Sequence, residues 1–277
     1  MSTTIDQSFV KQFEAEVHLE YQRMGSKLRG TIRTKNDVKG SSTTFQKVGK
    51  GEAGTKSRHG NVPIMNLNHT PVECILSDHY AGEYVDKLDE LKINHDERQV
   101  AAQSGAAALG RKTDSLITAA FDTTNNPNNI SVAQTWSTAQ GPLTLMEIFG
   151  ATDVPLNDGN AYSVVCFQAW SDLMQLQQFS SSDYVGDDMR PFMGVPAKNW
   201  AGLIWFPFSG LPKDGNGDYK QFAYHRSAAG HAIGQDVNSD ITWNGEKQAH
   251  LVVYSMSQGA VLIDATGVIE NVYDVTP

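Results

Sequence analysis

Two histidines six residues apart, His225 and His231 in the run YHRSAAGHAIG, are the nearest approach in this 277-residue chain to a paired metal or proton-transfer set. On a helix that spacing leaves them about 120° from sharing a face, so they read as capping or core histidines. DGNGD, residues 214–218, offers Asp214, Asn216 and Asp218 at alternate positions in the manner of a calcium loop. Such a loop needs Gly at its sixth position and Glu at its twelfth. Tyr219 and His225 stand there, so the run reads as a solvent-exposed turn. GKGEAG, residues 49–54, has the glycines of a phosphate loop but neither the following Lys-Ser/Thr pair nor a strand–loop–helix frame. The nucleotide-binding, zinc-protease and nucleophile-elbow motifs are absent from the sequence. Asp187, Asp188 and Glu97 read as solvated charge. Cys74 and Cys166 have no paired spacing and read as free thiols of a cytosolic fold, which leaves the sequons at Asn68 and Asn129 little meaning. The expectation is therefore no catalytic residue, no metal and no cofactor.

The charge distribution carries more information. Residues 27–58 hold nine Lys/Arg and two Asp/Glu, a net of +7, while the rest of the chain carries −16. Such a split suits association between copies, a basic segment of one lying on the acidic body of another. It also suits a nucleic-acid arm. Base stacking needs aromatic partners, and in this stretch Phe45 and His59 stand fourteen residues apart, so direct binding of nucleic acid ranks second. No run reaches the roughly 18–20 apolar residues of a membrane span. MSTTIDQSFV has neither the basic nor the apolar part of a secretory signal.

The elements that must carry these residues are an α+β set. Phe9, Val10, Phe13, Val17, Tyr21 and Met24 recur at threes and fours, an amphipathic helix stopped by Gly25. From Lys27 to about Thr70 the rhythm breaks. LRGTIRT and VPIMNL read as strands flanking a Gly/Ser/Lys-rich tip, a long β-hairpin of the kind that is functional or disordered. VECILSDHYAGEYVDKLDELKI reads as a strand or helix leading into charged helical turns. HDERQVAAQSGAAALGRKTDSLITAAFDTT, residues 95–124, predicts a long Ala-rich helix stopped by NNPNN, whose small residues allow another backbone to approach closely. Residues 161–179 predict a strand and then a helix, 199–212 a buried strand and loop, and 224–234 a short helix. AHLVVYSM, AVLID and VIENVYD, separated by SQG and ATG, predict a closing meander.

This order, carried by HDERQVAAQSGAAALGRKTDSLITAAFD and by the closing stretch from YHRSAAGHAIG to GAVLIDATGVIENVYD, resembles the major capsid proteins of tailed double-stranded DNA bacteriophages, the HK97-like fold. The resemblance spans almost the whole chain. It implies an N-arm over 1–26 and an extended hairpin, the E-loop, over 27–70. It implies a P-domain made of 71–140 with 246–277, its spine helix at about 95–123, and an A-domain over 141–245. Contacts between subunits would come from Arg33, Lys35, Lys47, Lys50, Lys56 and Arg58 of the E-loop and from Phe9, Phe13, Val17 and Tyr21 of the N-arm. The implied activity is assembly and not catalysis: hexamers and pentamers of one chain closing an icosahedral shell around double-stranded DNA. A portal, and scaffold or decoration proteins, would be the partners. The shell would assemble in the host bacterial cytoplasm and persist in the virion. With no long scaffolding segment expected ahead of the arm, the resemblance implies either a separate scaffold protein or none. Lys50 and Lys56 are available for covalent cross-linking, with no matched partner, and that chemistry is not assigned. The competing readings are a phage tail or decoration component, a soluble enzyme, or a nucleic-acid-binding protein with a basic arm.

Overall fold

A computed structural model describes residues 23, 25–90, 97–181 and 197–275. In chain order the first half holds β1 (Arg33–Lys35), β2 (Ser42–Val48), β3 (His69–Ile75), β4 (Ser77–Asp86), α1 (Lys87–Glu90), α2 (Glu97–Asp122), β5 (Ile130–Gln134) and α3 (Gln140–Ala151). The second half holds β6 (Ala161–Val165), α4 (Phe167–Gln175), α5 (Gln177–Ser180), β7 (Lys198–Trp200), β8 (Leu203–Pro207), β9 (Tyr219–His225), β10 (Ala229–Asn244), β11 (Ala249–Leu262) and β12 (Val268–Tyr273). The chain separates into two compact units, and α2, β10 and β11 contribute residues to both.

The smaller unit holds Gly25, residues 78–112 and residues 236–256. Its apolar interior comes from Val85 on β4, Ala107 and Leu109 on α2, and Val252 and Met256 on β11. Glycine in a helix costs up to about 1 kcal/mol against alanine, so Gly105 and Gly110 need a packing reason. A Cβ on Gly105 would lie 2.8 Å from the Tyr254 ring, and one on Gly110 would lie 2.6 Å from the Gly25 backbone. The expected close approach to this helix is made at these two positions.

The larger unit holds residues 26–77, 113–235 and 257–277. Its main sheet has the order β5-β12-β9-β6-β8-β7. β12 runs parallel to β5 and antiparallel to β9, and β6 runs parallel to β8. The inner strands β6, β9 and β12 are buried along most of their length, and they take polar residues such as Gln221 and Asn271 inside with them. An aromatic core fills the unit. Phe121 lies 4.4 Å from Tyr224 and 5.6 Å from Phe222, and Trp136 meets Trp205 and Tyr273 edge-on at 5.7 and 5.8 Å.

Three expectations are corrected. Residues 224–234 are not a helix: β9 ends at His225, a 3-10 turn covers Arg226–Ala228, and β10 starts at Ala229. Burial of Ala229–Ile233 inside the unit overrides the helical preference of an alanine-rich run. The closing meander is absent, because β11 passes through SQG without turning and β12 joins the other sheet. Gly259 marks a close approach instead, since a Cβ there would meet the Ile75 carbonyl. The hairpin strands are also displaced. LRGTIRT gives a 3-10 turn and the short β1, VPIMNL is not a strand, and STTFQKV is.

Asp114 on α2 fixes the start of the hairpin region. Its carboxylate, fully buried, accepts from Ser26 Oγ at 2.6 Å, the Lys27 N–H at 3.0 Å and the Leu28 N–H at 3.1 Å. Leu28 and Ile32 then enter the core, and β1 pairs in parallel with β10 through Arg33↔Gly230 and Lys35↔Ala232. Asp114→Ala leaves these donors without their acceptor and is expected to cost about 3 kcal/mol or more, while Asp114→Asn keeps one acceptor oxygen and costs about 1–2 kcal/mol. Urea denaturation measures both, and equal losses would show that the charge and not the hydrogen bonds holds the segment.

Candidate functional site

The sites that looked chemical in the sequence are spent on structure. His225 Nε2 lies 2.9 Å from Asp158 Oδ2, and its Nδ1 lies 2.7 Å from Ser227 Oγ. This Asp–His–Ser chain imitates a proton relay. However, the Ser227 N–H also donates to Nδ1, at 3.3 Å, so the ring caps the 3-10 turn that follows it. The Asn160 N–H and then His225 hold the Asp158 carboxyl down at about 2. His231 is buried with Nε2 3.0 Å from Gln258 Oε1, which also accepts from Thr113 Oγ1. Asp214 Oδ1 accepts from the N–H groups of Asn216 and Asp218, closing the expected turn. Among the described residues no group of three His, Cys, Asp or Glu is placed to hold a metal ion. Cys74 and Cys166 are free and buried, Cys166 as the cap of α4. Asp187 and Asp188 lie outside the described residues, as does the Glu97 side chain.

What the larger unit does present is an arm. β2 and β3 pair antiparallel from Ser42↔Ile75 to Val48↔His69. Phe45 and Cys74 bury the root against Ala232 and Ile263, with Val38, Leu76 and Val261 around them. A Cβ on Gly230 would strike the Phe45 ring, so only glycine there lets the ring approach the β10 backbone this closely. The predicted basic residues divide into three groups. Arg33 and Lys35 lie on β1 in the body: the Arg33 guanidinium stands 5.6 Å from the Phe45 ring, and Lys35 Nζ donates to Thr43 Oγ1 at 2.6 Å. Lys47 and Lys50 pair within the chain, with Asp264 at 2.8 Å and Asp153 at 2.9 Å. Lys56 and Arg58 stand on the exposed tip. Phe9, Phe13, Val17 and Tyr21 of the predicted N-arm lie outside the described residues.

Magnitudes decide what holds the arm. An exposed ion pair contributes about 0–1 kcal/mol, and both partners of Lys50–Asp153 are about four-fifths exposed. A buried phenylalanine contributes about 3–5 kcal/mol. The root is therefore the anchor and the lysines are trim. The charge-based reading missed an apolar strip on the outer arm: Val62, Ile64, Met65 and Leu67 are 70, 85, 51 and 38% exposed. VPIMNL was its signal, an apolar run that becomes a surface once it is not a paired strand.

Phe45→Ala is expected to cost about 3–5 kcal/mol and to free the arm, read as faster amide exchange over 42–48 and 69–75. Burial pushes the Asp264 carboxyl up, and Lys47 with Thr266 more than offsets it, leaving it below the usual range. Asp158 and Asp264 are both lower than in the unfolded chain, where a carboxyl titrates near about 4. Their contribution is complete at neutral pH and disappears as pH falls from about 4 towards 2. Thermal melts should hold steady from pH 7 to 5 and drop below 4, with a shallower drop in Asp158→Asn.

The fold is shared with the capsid of the cyanophage P-SCSP1u, at 17% identity and a TM-score of 0.77, covering 99% of this chain and 95% of that one. The capsid of Ralstonia phage GP4 matches at 13% identity and a TM-score of 0.68, with 100% of both chains covered. The capsid of a native GTA particle matches at 12% identity and a TM-score of 0.70, covering 99% and 100%. No curated protein matches the sequence. A family model described as phage capsid protein matches residues 5–275, nearly the whole chain. The chain, built on the HK97-like fold, belongs to the phage capsid protein family.

Proposed function

We propose that this chain is a major capsid subunit whose copies form the hexamers and pentamers of an icosahedral shell around double-stranded DNA, with the arm as the main reach between neighbours. The observation that supports this most directly is the arm itself. Its root is packed into the larger unit, while its outer half exposes apolar side chains that a solitary protein would bury. Under this reading 1–26 is the N-arm, the hairpin is the E-loop, 71–140 with 246–277 is the P-domain and 141–245 is the A-domain.

The mechanism is assembly without turnover. Symmetry repeats each contact around the shell, so weak interfaces add through valency into a stable particle. Arg33 and Lys35 act at the arm's root, where burial sets its direction, and Lys47 and Lys50 add only weak ion pairs within the chain. Lys56 and Arg58 steer its tip towards acidic surface on a neighbour, contributing more to rate and register than to affinity. Phe9, Phe13, Val17 and Tyr21 add a second, apolar contact along adjacent copies. DNA is enclosed without sequence-specific contact. Of the two rings in this stretch, Phe45 is buried at the root and His59 alone is exposed, too little to make a stacking platform. A portal and a scaffold or decoration protein complete the shell, which assembles in the host cytoplasm. Among the described residues no helix is long and apolar enough to cross a membrane.

Negative-stain microscopy of the expressed chain, alone and co-expressed with a candidate scaffold protein, should show closed shells. A clean monomer under both conditions overturns the proposal. Replacing Lys47, Lys50, Lys56 and Arg58 together by Gln should lower particle yield and raise salt sensitivity while the monomer melts normally. Unchanged yield and salt resistance would remove the steering role.

A further inference from the structure

Two primary amides stand inside the main sheet of the larger unit. Asn271 on β12 and Gln221 on β9 are directly opposite in the antiparallel ladder and are 1 and 2% exposed. Opposed residues share a face of the sheet with Cβ atoms about 5 Å apart, close enough for the two amides to bond. They do not. Gln221 Nε2 turns the other way and donates to Sγ of Cys166, the residue that follows β6 and caps α4, at 3.3 Å. Among the described residues, Gln221 Oε1 and both Asn271 atoms, Oδ1 and Nδ2, have no hydrogen-bond partner. The surroundings of Asn271 offer none. Its partner on the other side is Ile130 of β5, and the same-face neighbours along β12 are Ile269 and Tyr273. Ile269 is apolar, and the Tyr273 hydroxyl donates to Asp172 Oδ2 at 2.5 Å. Turning the Asn271 amide over exchanges its nitrogen and oxygen and leaves both unpaired.

Buried polar atoms are rarely left unpaired, because each gives up its hydration and gains nothing. Three such atoms on two adjacent side chains mark a position where a group other than protein completes the bonding. The chemistry of the set decides which group fits. It offers two acceptor oxygens, one amide donor and a thiol, with no carboxylate. A cation would be desolvated there without a counter-charge, and an anion would meet two carbonyl oxygens. Water is neutral and can donate twice and accept twice. We propose that ordered water occupies the seam between Gln221 and Asn271, donating to Gln221 Oε1 and Asn271 Oδ1 and accepting from Asn271 Nδ2. A cavity of about 280 Å³, lined by Thr135, Gln168, Ser171, Asp172 and Tyr273, brings solvent to the next residue along the same face of β12. The bridge ties β12 to β9 through side chains as well as backbone, and in one register only. The assignment stands apart from the capsid reading.

A density map of the parent chain, from particles or from the free subunit, tests this at a resolution that shows ordered water. It should place a peak about 2.7–3.2 Å from both Gln221 Oε1 and Asn271 Nδ2. Amides bonded directly to each other, or a dry seam, overturn the inference. Thermal melts give a second readout independent of the map. With water in place, Asn271→Leu or Gln221→Met takes one side of the bridge away and strands the other. Each should lower the melting temperature by about 2–4 °C or more. The double variant removes both polar partners together and should fall no further than the worse single one. A rise in melting temperature from either single variant would mean that its atoms had no partner to lose. Losses that simply add in the double variant would mean that the two amides share no water. Either of these results also overturns the inference.

Discussion

The Asp114 carboxylate, wholly buried on α2, collects Ser26 and the backbone N–H groups of Lys27 and Leu28, and the path of the next fifty residues follows from it. A buried carboxylate is costly unless hydrogen-bonded, so the site accepts one geometry and rejects slippage. With Leu28 and Ile32 set in the core, β1 is held on β10, and β2 lays Phe45 on Gly230. The arm's direction is therefore decided at its root, by burial, and not by the lysines along its length.

That hierarchy also explains what was legible in the sequence. α2 was, because a long Ala-rich stripe closed by NNPNN has one reading. The strand and then helix of 161–179 were legible in type and order, though β6 starts three residues before the expected Val164 and α4 already includes Phe167. The hairpin was legible as a long interruption in periodicity, but its strands were not, since STTFQKV is as polar as the tip beyond it. Its pairing depends on Phe45 and Cys74 finding Ala232 and Ile263, a contact between segments far apart in sequence. Gly259 looked like a turn for a related reason: a glycine that admits a neighbouring backbone and a glycine that bends the chain have the same signature until the neighbour is known.

The candidate site was half legible. A basic segment in an acidic chain pointed to the hairpin, but Lys47 and Lys50 find carboxylates in their own chain, and Arg33 and Lys35 belong to the body. Charge counts sum over residues and ignore which pairs are already made. The apolar strip from Val62 to Leu67 was hidden by the opposite error, since an apolar run invites a strand assignment and so a place inside. The histidines behave as expected of buried or capping groups. His225 shows how a short Asp–His–Ser chain arises from turn capping alone.

One feature of the main sheet bears on synthesis. β12, from Val268 to Tyr273, lies between β5 and β9, so the last strand described is an inner one. Until it emerges from the ribosome, β5 has no partner in the sheet and β9 has only β6 beside it. Ile263, which helps bury the root of the arm, also arrives late. Contacts of such sequence separation form slowly and only on a nearly complete chain. A nascent or truncated subunit thus lacks both a finished core and a seated arm.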